Sequence, residues 1–132
     1  MRRIVVGYDG SEAARHALER VAALARNGAE VVVVNVRPLR APAPLPLADD
    51  DIVAQRRKLD EAHELLATRR VRSRRVERHG GAAEMLVEQA KESGADLMVV
   101  GSHGKNLAER LVLGSVSRKV LHHAPCDVLV VR

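Results

Sequence analysis

Leu97-Met98-Val99-Val100-Gly101-Ser102-His103-Gly104, joined through residues 105–113 to Gly114-Ser115-Val116-Ser117, sets the architecture expected of the whole chain. Leu97 to Val100 is a short apolar run without polar alternation, the pattern of a strand buried on both faces. Two glycines follow where that strand ends, and a third stands where a helix should begin. Glycine lets a backbone approach a ligand closely without a Cβ clash. A helix start offers N–H groups with no intrahelical partner and a partial positive charge. A glycine loop facing a helix mouth is therefore a candidate phosphate site. Gly101 and Gly104 form one side, and Gly114, Ser115, Val116 and Ser117 the other. The alternative is a surface loop whose glycines only make turns.

Upstream of this stretch, strand and helix patterns alternate. Ile4 to Tyr8 reads as the first strand, and Asp9-Gly10-Ser11 as a turn with Ser11 as helix N-cap. Ala14, Ala17, Leu18, Val21 and Ala25 recur at helical spacing until Asn27-Gly28. Val31 to Val36 is a second buried strand. Four prolines between Arg37 and Pro46 forbid a regular helix or a central strand, so residues 37–48 read as a long surface loop or flap. Asp49-Asp50-Asp51 places negative charge at a helix start, and Ile52, Leu59, Ala62 and Leu66 share one side of that helix. Val71 to His79, rich in arginine, reads as an edge strand, because edges tolerate charge. Gly80-Gly81 leads into a helix with Ala83, Leu86, Val87 and Ala90 inward, ended by Gly94.

Downstream, Gly114 opens a helix with Val116, Val120 and Leu121 inward. Pro125 stops it, and Val128 to Val131 is the last strand. Strands alternating with helices imply an α/β fold: a doubly wound, Rossmann-like, five-stranded parallel sheet with helices on both faces.

At 132 residues, one domain spanning 1–132 is expected. The core must be aliphatic, since there is one Tyr and no Phe or Trp. Net charge +5 favours anionic partners without choosing between ATP, RNA and anionic membranes. The single cysteine, Cys126, excludes an internal disulfide and fits a reducing compartment. Met1-Arg2-Arg3 is basic, but Ile4 to Val6 is too short for a signal h-region, and no segment approaches a membrane span. A cytoplasmic location without membrane association is the expectation.

The spacing G-x2-G-x9-G-S from Gly101 to Ser115 resembles the nucleotide-binding signature of the universal stress protein family. The opening Ile4-Val5-Val6-Gly7-Tyr8-Asp9-Gly10-Ser11-Glu12 and the closing Ala124-Pro125-Cys126-Asp127-Val128-Leu129-Val130-Val131 are similar to that family's ends. The resemblance spans essentially the whole chain. It implies strand order 3-2-1-4-5, with a ligand site beyond the carboxyl ends of strands 1 and 4. It implies ATP as the ligand, with or without Mg²⁺, because members lacking the glycine signature do not bind ATP. Gly101, Gly104, Gly114, Ser115, Val116 and Ser117 would then hold ribose and phosphates, and the backbone of Val36 would read the adenine edge. It also implies a homodimer through Val128–Val131, and a stress-response regulator with a protein partner still to be identified. One departure is Asp127, where the family usually has proline; aspartate restores an N–H and adds charge at the start of the strand, which bears on the dimer register.

Asp9 is a candidate nucleoside ligand, since a carboxylate accepts from ribose hydroxyls or an exocyclic amine; the alternative is a turn aspartate bonding its own backbone. Lys105, Arg110, Arg118 and Lys119 could add positive charge, and only Lys105 is favoured. His103 sits inside the loop and could donate to a phosphate oxygen; the favoured reading is an exposed loop histidine. Walker A fails because Gly104-Lys105 is followed by Asn106, and Gly7 with Gly10 does not make a dinucleotide fingerprint. His122 and His123 are adjacent and point about 100° apart on a helix, so they do not form an i, i+4 metal pair. Cys126 reads as a structural cysteine, and no catalytic residue is assigned. Arg69, Arg70, Arg72, Arg74, Arg75 and Arg78 form a basic stripe, but stacking aromatics are missing, so nucleic acid is an unfavoured partner. The competing functions are slow ATP hydrolysis or phosphoryl transfer, and binding of AMP or a cyclic nucleotide in the same pocket.

Overall fold

The computed structural model describes residues 3–39, 49–103 and 113–132. The elements run β1 (Arg3–Gly7), α1 (Glu12–Leu24), a 3₁₀ turn (Ala25–Asn27), β2 (Glu30–Arg37), α2 (Asp49–Thr68), β3 (Ser73–His79), α3 (Ala82–Ser93), β4 (Leu97–Gly101), α4 (Ser115–His123) and β5 (Asp127–Val131). The five strands form one sheet in the order β3-β2-β1-β4-β5. Every pairing is parallel, with Val5 opposite both Val32 and Met98. The fold class and strand order expected above are those observed.

Side chains alternate across a strand, so each strand feeds two cores. Ile4, Val6, Val31, Val33, Leu97 and Val99 pack with the buried residues of α1 and α2 on one face. Val5, Val32, Val34, Met98 and Val100 pack with α3 and Val120 of α4 on the other. The strands are apolar on both faces because helices cover both. The expected inward residues of α1 and α3 are all buried; on α2, Leu59, Ala62 and Leu66 are buried and Ile52 is half-buried.

The helix ends follow from local chemistry. The Ser11 hydroxyl accepts from the Ala14 N–H at 3.1 Å and caps α1. Helix α3 closes on Gly94, whose φ of 62° is the left-handed region that glycine adopts without strain. Helix α2 closes the same way without glycine. The Val71 N–H donates to the Leu66 carbonyl and the Arg70 N–H to the Ala67 carbonyl, with Arg70 itself at φ 61°.

That closure corrects one expectation. Val71 is buried against the α1–α2 core and belongs to the helix stop, and β3 begins at Ser73. Tyr8 lies just past β1, and Arg37 belongs to β2 rather than to the loop after it. On α4 only Val120 of the three expected inward residues is buried, while Val116 and Leu121 are 36% and 46% exposed. The inward face is instead Ser117, Val120 and the half-buried Ala124.

As expected, β3 lies at the sheet edge, and its arginines are paired: Arg74 with Glu30, Arg75 with Asp60, and Arg78 with Glu88 and Glu92. Arg69 pairs with Glu19. The basic stripe is thus largely matched by carboxylates of neighbouring elements. Residues 40–48 of the proline-rich segment lie outside the described residues.

Candidate functional site

Strand order reverses at β1, which pairs with β2 on one side and β4 on the other. Chains leaving the carboxyl ends of β1 and β4 depart toward opposite faces of the sheet, and a crevice is left between them. A cavity of about 510 Å³ opens there. The strands contribute Gly7, Val34, Val36, Val100 and Gly101, and Leu86 of α3 adds to the apolar wall. Asp9 and Ser11 enter from the turn after β1, His103 from the loop after β4, and Gly114 to Ser117 from the start of α4. Seven of the eight candidate site residues therefore share one cavity. The eighth, Gly104, lies outside the described residues, as do Lys105 and Arg110.

The strand ends are fixed by buried polar side chains. Asn35, the one polar residue within the valine run of β2, donates to the Tyr8 carbonyl at 2.7 Å. Gln55 of α2 donates to the carbonyls of Asn35 and Arg78, both at 2.9 Å. Buried amides with satisfied partners hold geometry, because breaking one such bond strands a desolvated group. Tyr8 donates its hydroxyl to Glu61 at 2.5 Å. Burial, and then this bond, push its phenol up to about 12.

Asp9 is bound to the turn as well as facing the cavity. One carboxylate oxygen accepts the Ser11 N–H at 2.8 Å, the local aspartate turn given above as the alternative. Its position on the cavity wall keeps the nucleoside reading alongside it.

At the other side, the Gly114 N–H donates to the Ser102 carbonyl at 2.7 Å, and the buried Ser117 hydroxyl donates to the carbonyls of Ser102 and Gly114. These groups clamp the glycine loop to α4. The first helical bond of α4 runs from the Arg118 N–H to the Gly114 carbonyl, and no side chain caps the helix. The N–H groups of Ser115, Val116 and Ser117 thus precede the helical ladder, and all three residues line the cavity. Backbone N–H groups at a helix start suit an oxyanion.

Gly101 has a packing role that spacing did not reveal. A Cβ there would stand 2.9 Å from the Ala13 Cβ and 3.1 Å from the Ala14 nitrogen. Its absence lets β4 lie against the first turn of α1. His103 is also not the exposed loop residue expected above: it is half-buried, lines the cavity, and its Nδ1 is 3.0 Å from the Ser102 hydroxyl. Lys58 of α2 lines the cavity too; nothing in its helical pattern set it apart, whereas Asn35 was visible as a polar break in an apolar strand.

Outside the cavity, Lys119 pairs with Glu84 at 3.8 Å, and Arg118 donates to the Leu113 carbonyl. Cys126 is half-buried; burial, then Asp127 and Asp96, push its thiol up, away from the reactive thiolate. Among the described residues, no three His, Cys, Asp or Glu side chains cluster as a metal would need, and no helix is long and apolar enough to cross a membrane.

The chain is a doubly wound parallel sheet with a cavity at the strand-order reversal, the place where ligands bind in sheets of this class. The model of the universal stress protein family matches residues 1–132, and the chain belongs to that family. A Staphylococcus haemolyticus protein assigned to the universal stress proteins is 32% identical over 139 residues, covering 99% of this chain and 84% of that one. A universal stress protein from Archaeoglobus fulgidus in complex with dAMP is 25% identical, with a TM-score of 0.81 and coverage of 100% and 98%. A universal stress protein in complex with cAMP is 26% identical, with a TM-score of 0.80 and coverage of 99% and 97%.

Proposed function

We propose that this chain, acting as a single domain, binds an adenine nucleotide in the cavity at the ends of β1 and β4 and serves as a cytoplasmic stress-response regulator. The observation that carries the reading is the joining, in one cavity, of an apolar wall formed by Val34, Val36, Leu86 and Val100 with the start of α4, which has no side-chain cap among the described residues. A base fits the first and a phosphate the second. A volume of about 510 Å³ falls within the ordinary range for small-molecule sites. The dAMP and cAMP complexes of the two relatives support adenine as the base. ATP is favoured because Gly101, Gly104, Gly114 and Ser115 complete the glycine signature. Asp9 and the Val36 backbone hold the nucleoside, and the α4 start holds the phosphates, with Mg²⁺ an accompanying ion at most. A homodimer forms through β5, an edge strand whose Val128, Leu129 and Val130 are only half-buried.

The test is chromatography of any nucleotide released on denaturing freshly purified protein, with calorimetric titration of the stripped protein by ATP, ADP, AMP and cAMP. Released ATP, or tightest binding of ATP, supports the reading in full. Tightest binding of AMP or cAMP keeps the site and changes the ligand. No nucleotide and no heat with any of the four overturns it.

A further inference from the structure

The valine run of β2 breaks at Asn35, and the break falls where β1 and β2 part. Their paired register ends at Gly7 opposite Val34, and one further backbone bond runs from the Tyr8 N–H to the Val34 carbonyl at 2.9 Å. Beyond it β2 stays paired with β3 as far as Arg37, while the chain after β1 turns away at Asp9. The Tyr8 carbonyl is taken up by a side chain instead: the Asn35 amide donates to it at 2.7 Å. A carbonyl only accepts, so the NH2 end of that amide must face Tyr8. Asn35 is 5% exposed, and its own carbonyl accepts from Gln55, which also holds the Arg78 carbonyl of β3. The Asn35 side chain therefore adds a rung between the ends of β1 and β2 where the backbone ladder stops. The two residues it ties each stand one place before a group assigned to the nucleoside: Tyr8 precedes Asp9, and Asn35 precedes Val36. All four line the cavity.

We propose that Asn35 is the positioning residue of the nucleoside half of the site. By bonding the Tyr8 carbonyl it sets the distance between the Asp9 carboxylate and the Val36 backbone, and with it the preference for adenine over guanine. The inference rests on the nucleotide reading above. A backbone N–H beside a backbone C=O complements the N1 acceptor and N6 amine of adenine and opposes the N1–H and O6 of guanine, so selectivity depends on where that edge is held. A buried carbonyl that loses its donor shifts to find another. Without the Asn35 amide the turn after β1 therefore moves relative to β2, and Asp9 no longer stands in step with Val36. The start of α4 is anchored separately, through Ser102.

The experiment is calorimetric titration of the full chain, stripped of nucleotide, with ATP and with GTP. It uses wild type, Asn35→Ala, Asn35→His and Gln89→Ala, each first shown by circular dichroism to melt as a folded protein. Gln89 is a buried amide of α3 that bonds Arg78 and Ser93 away from the cavity, so its loss reads what destabilisation alone does to binding. Wild type should prefer ATP. Asn35→Ala should weaken ATP about tenfold, the factor that one net hydrogen bond corresponds to, and leave GTP within about twofold. Asn35→His, which keeps a ring N–H at the same distance along the side chain, should recover part of the preference. Gln89→Ala should lower the melting temperature and keep the wild-type ATP-to-GTP ratio. An unchanged ratio in Asn35→Ala, an equal fall of the ratio in Gln89→Ala, or a wild type that binds ATP and GTP alike overturns the inference while the nucleotide reading stands. Should Asn35→Ala fail to fold, Asn35→Ser, whose hydroxyl is one atom shorter than the amide, decides by the same ratio. Wild type that takes up neither nucleotide overturns the nucleotide reading and the inference together.

Discussion

Gly101 packs where β4 meets the first turn of α1, and a methyl group there would meet the Ala13 Cβ, the Ala13 carbonyl carbon and the Ala14 nitrogen at 2.9–3.1 Å. Two of those three contacts are backbone atoms of a capped helix, which do not move aside as a flexible side chain would. Gly101→Ala should lower unfolding free energy by roughly 1–3 kcal/mol, the usual range for overpacking, as read from the denaturant midpoint. Tyr8 gives a second test, because it is the chain's one tyrosine and there is no tryptophan. Its phenol is pushed from 10.0 to about 12, first by burial and then by the Glu61 carboxylate. The folded state therefore favours the neutral phenol, and this stability is complete below pH 10 and is lost as the pH rises through about 12. Tyrosinate absorbance should titrate near 12 in the native protein and near 10 in denaturant, and Tyr8→Phe should remove this part of the alkaline loss. A native titration at 10 would show that neither burial nor Glu61 acts on the phenol.

Among the elements, α2 is closed by an arginine in the position that glycine usually takes. A left-handed conformation costs an L-residue about 1–2 kcal/mol, and Arg70 at φ 61° carries that strain. Arg70→Gly should therefore raise stability by about 1 kcal/mol, less whatever entropy glycine adds to the unfolded chain. A drop in the thermal midpoint would mean that the arginine side chain contributes more than its backbone costs. At α4, the buried Ser117 hydroxyl bonds two carbonyls that share the glycine loop and the helix start. Ser117→Ala leaves those carbonyls without that donor and should cost about 1–3 kcal/mol, measured by chemical denaturation. Gly114→Val puts a branched side chain at the buried cavity mouth and should abolish binding of all four nucleotides; undiminished ATP binding would place the ligand elsewhere. Val116 and Leu121 are apolar residues expected inward with Val120, yet both are exposed. The exposure of Val116 follows from the start of α4 facing an open cavity rather than a core; nothing in the structure explains that of Leu121.

For the molecule as a whole, a ligand that binds only the folded chain stabilises it by mass action. ATP at a hundred times its dissociation constant should add about 2.7 kcal/mol, seen as a concentration-dependent rise in melting temperature. Sedimentation equilibrium should give a dimer; a monomer at all concentrations would leave β5 as a half-buried edge and overturn the pairing. Strand positions and fold class were legible along the chain because a parallel sheet covered on both faces needs continuous aliphatic runs, and Ile4–Val6, Val31–Val34 and Leu97–Val100 supply them. The glycine spacing likewise marked both sides of the cavity, since a loop and a helix start are local features. Which groups are committed and which face the cavity was decided by contacts between residues far apart in sequence. Ser102 meets Val131, Gly114 meets Ser102, Gln55 reaches Asn35 and Arg78, and Gly101 rests on Ala13. Such pairings leave no periodic trace, because hydrogen bonds and close packing select a partner by position in space, and only the folded sheet brings those positions together.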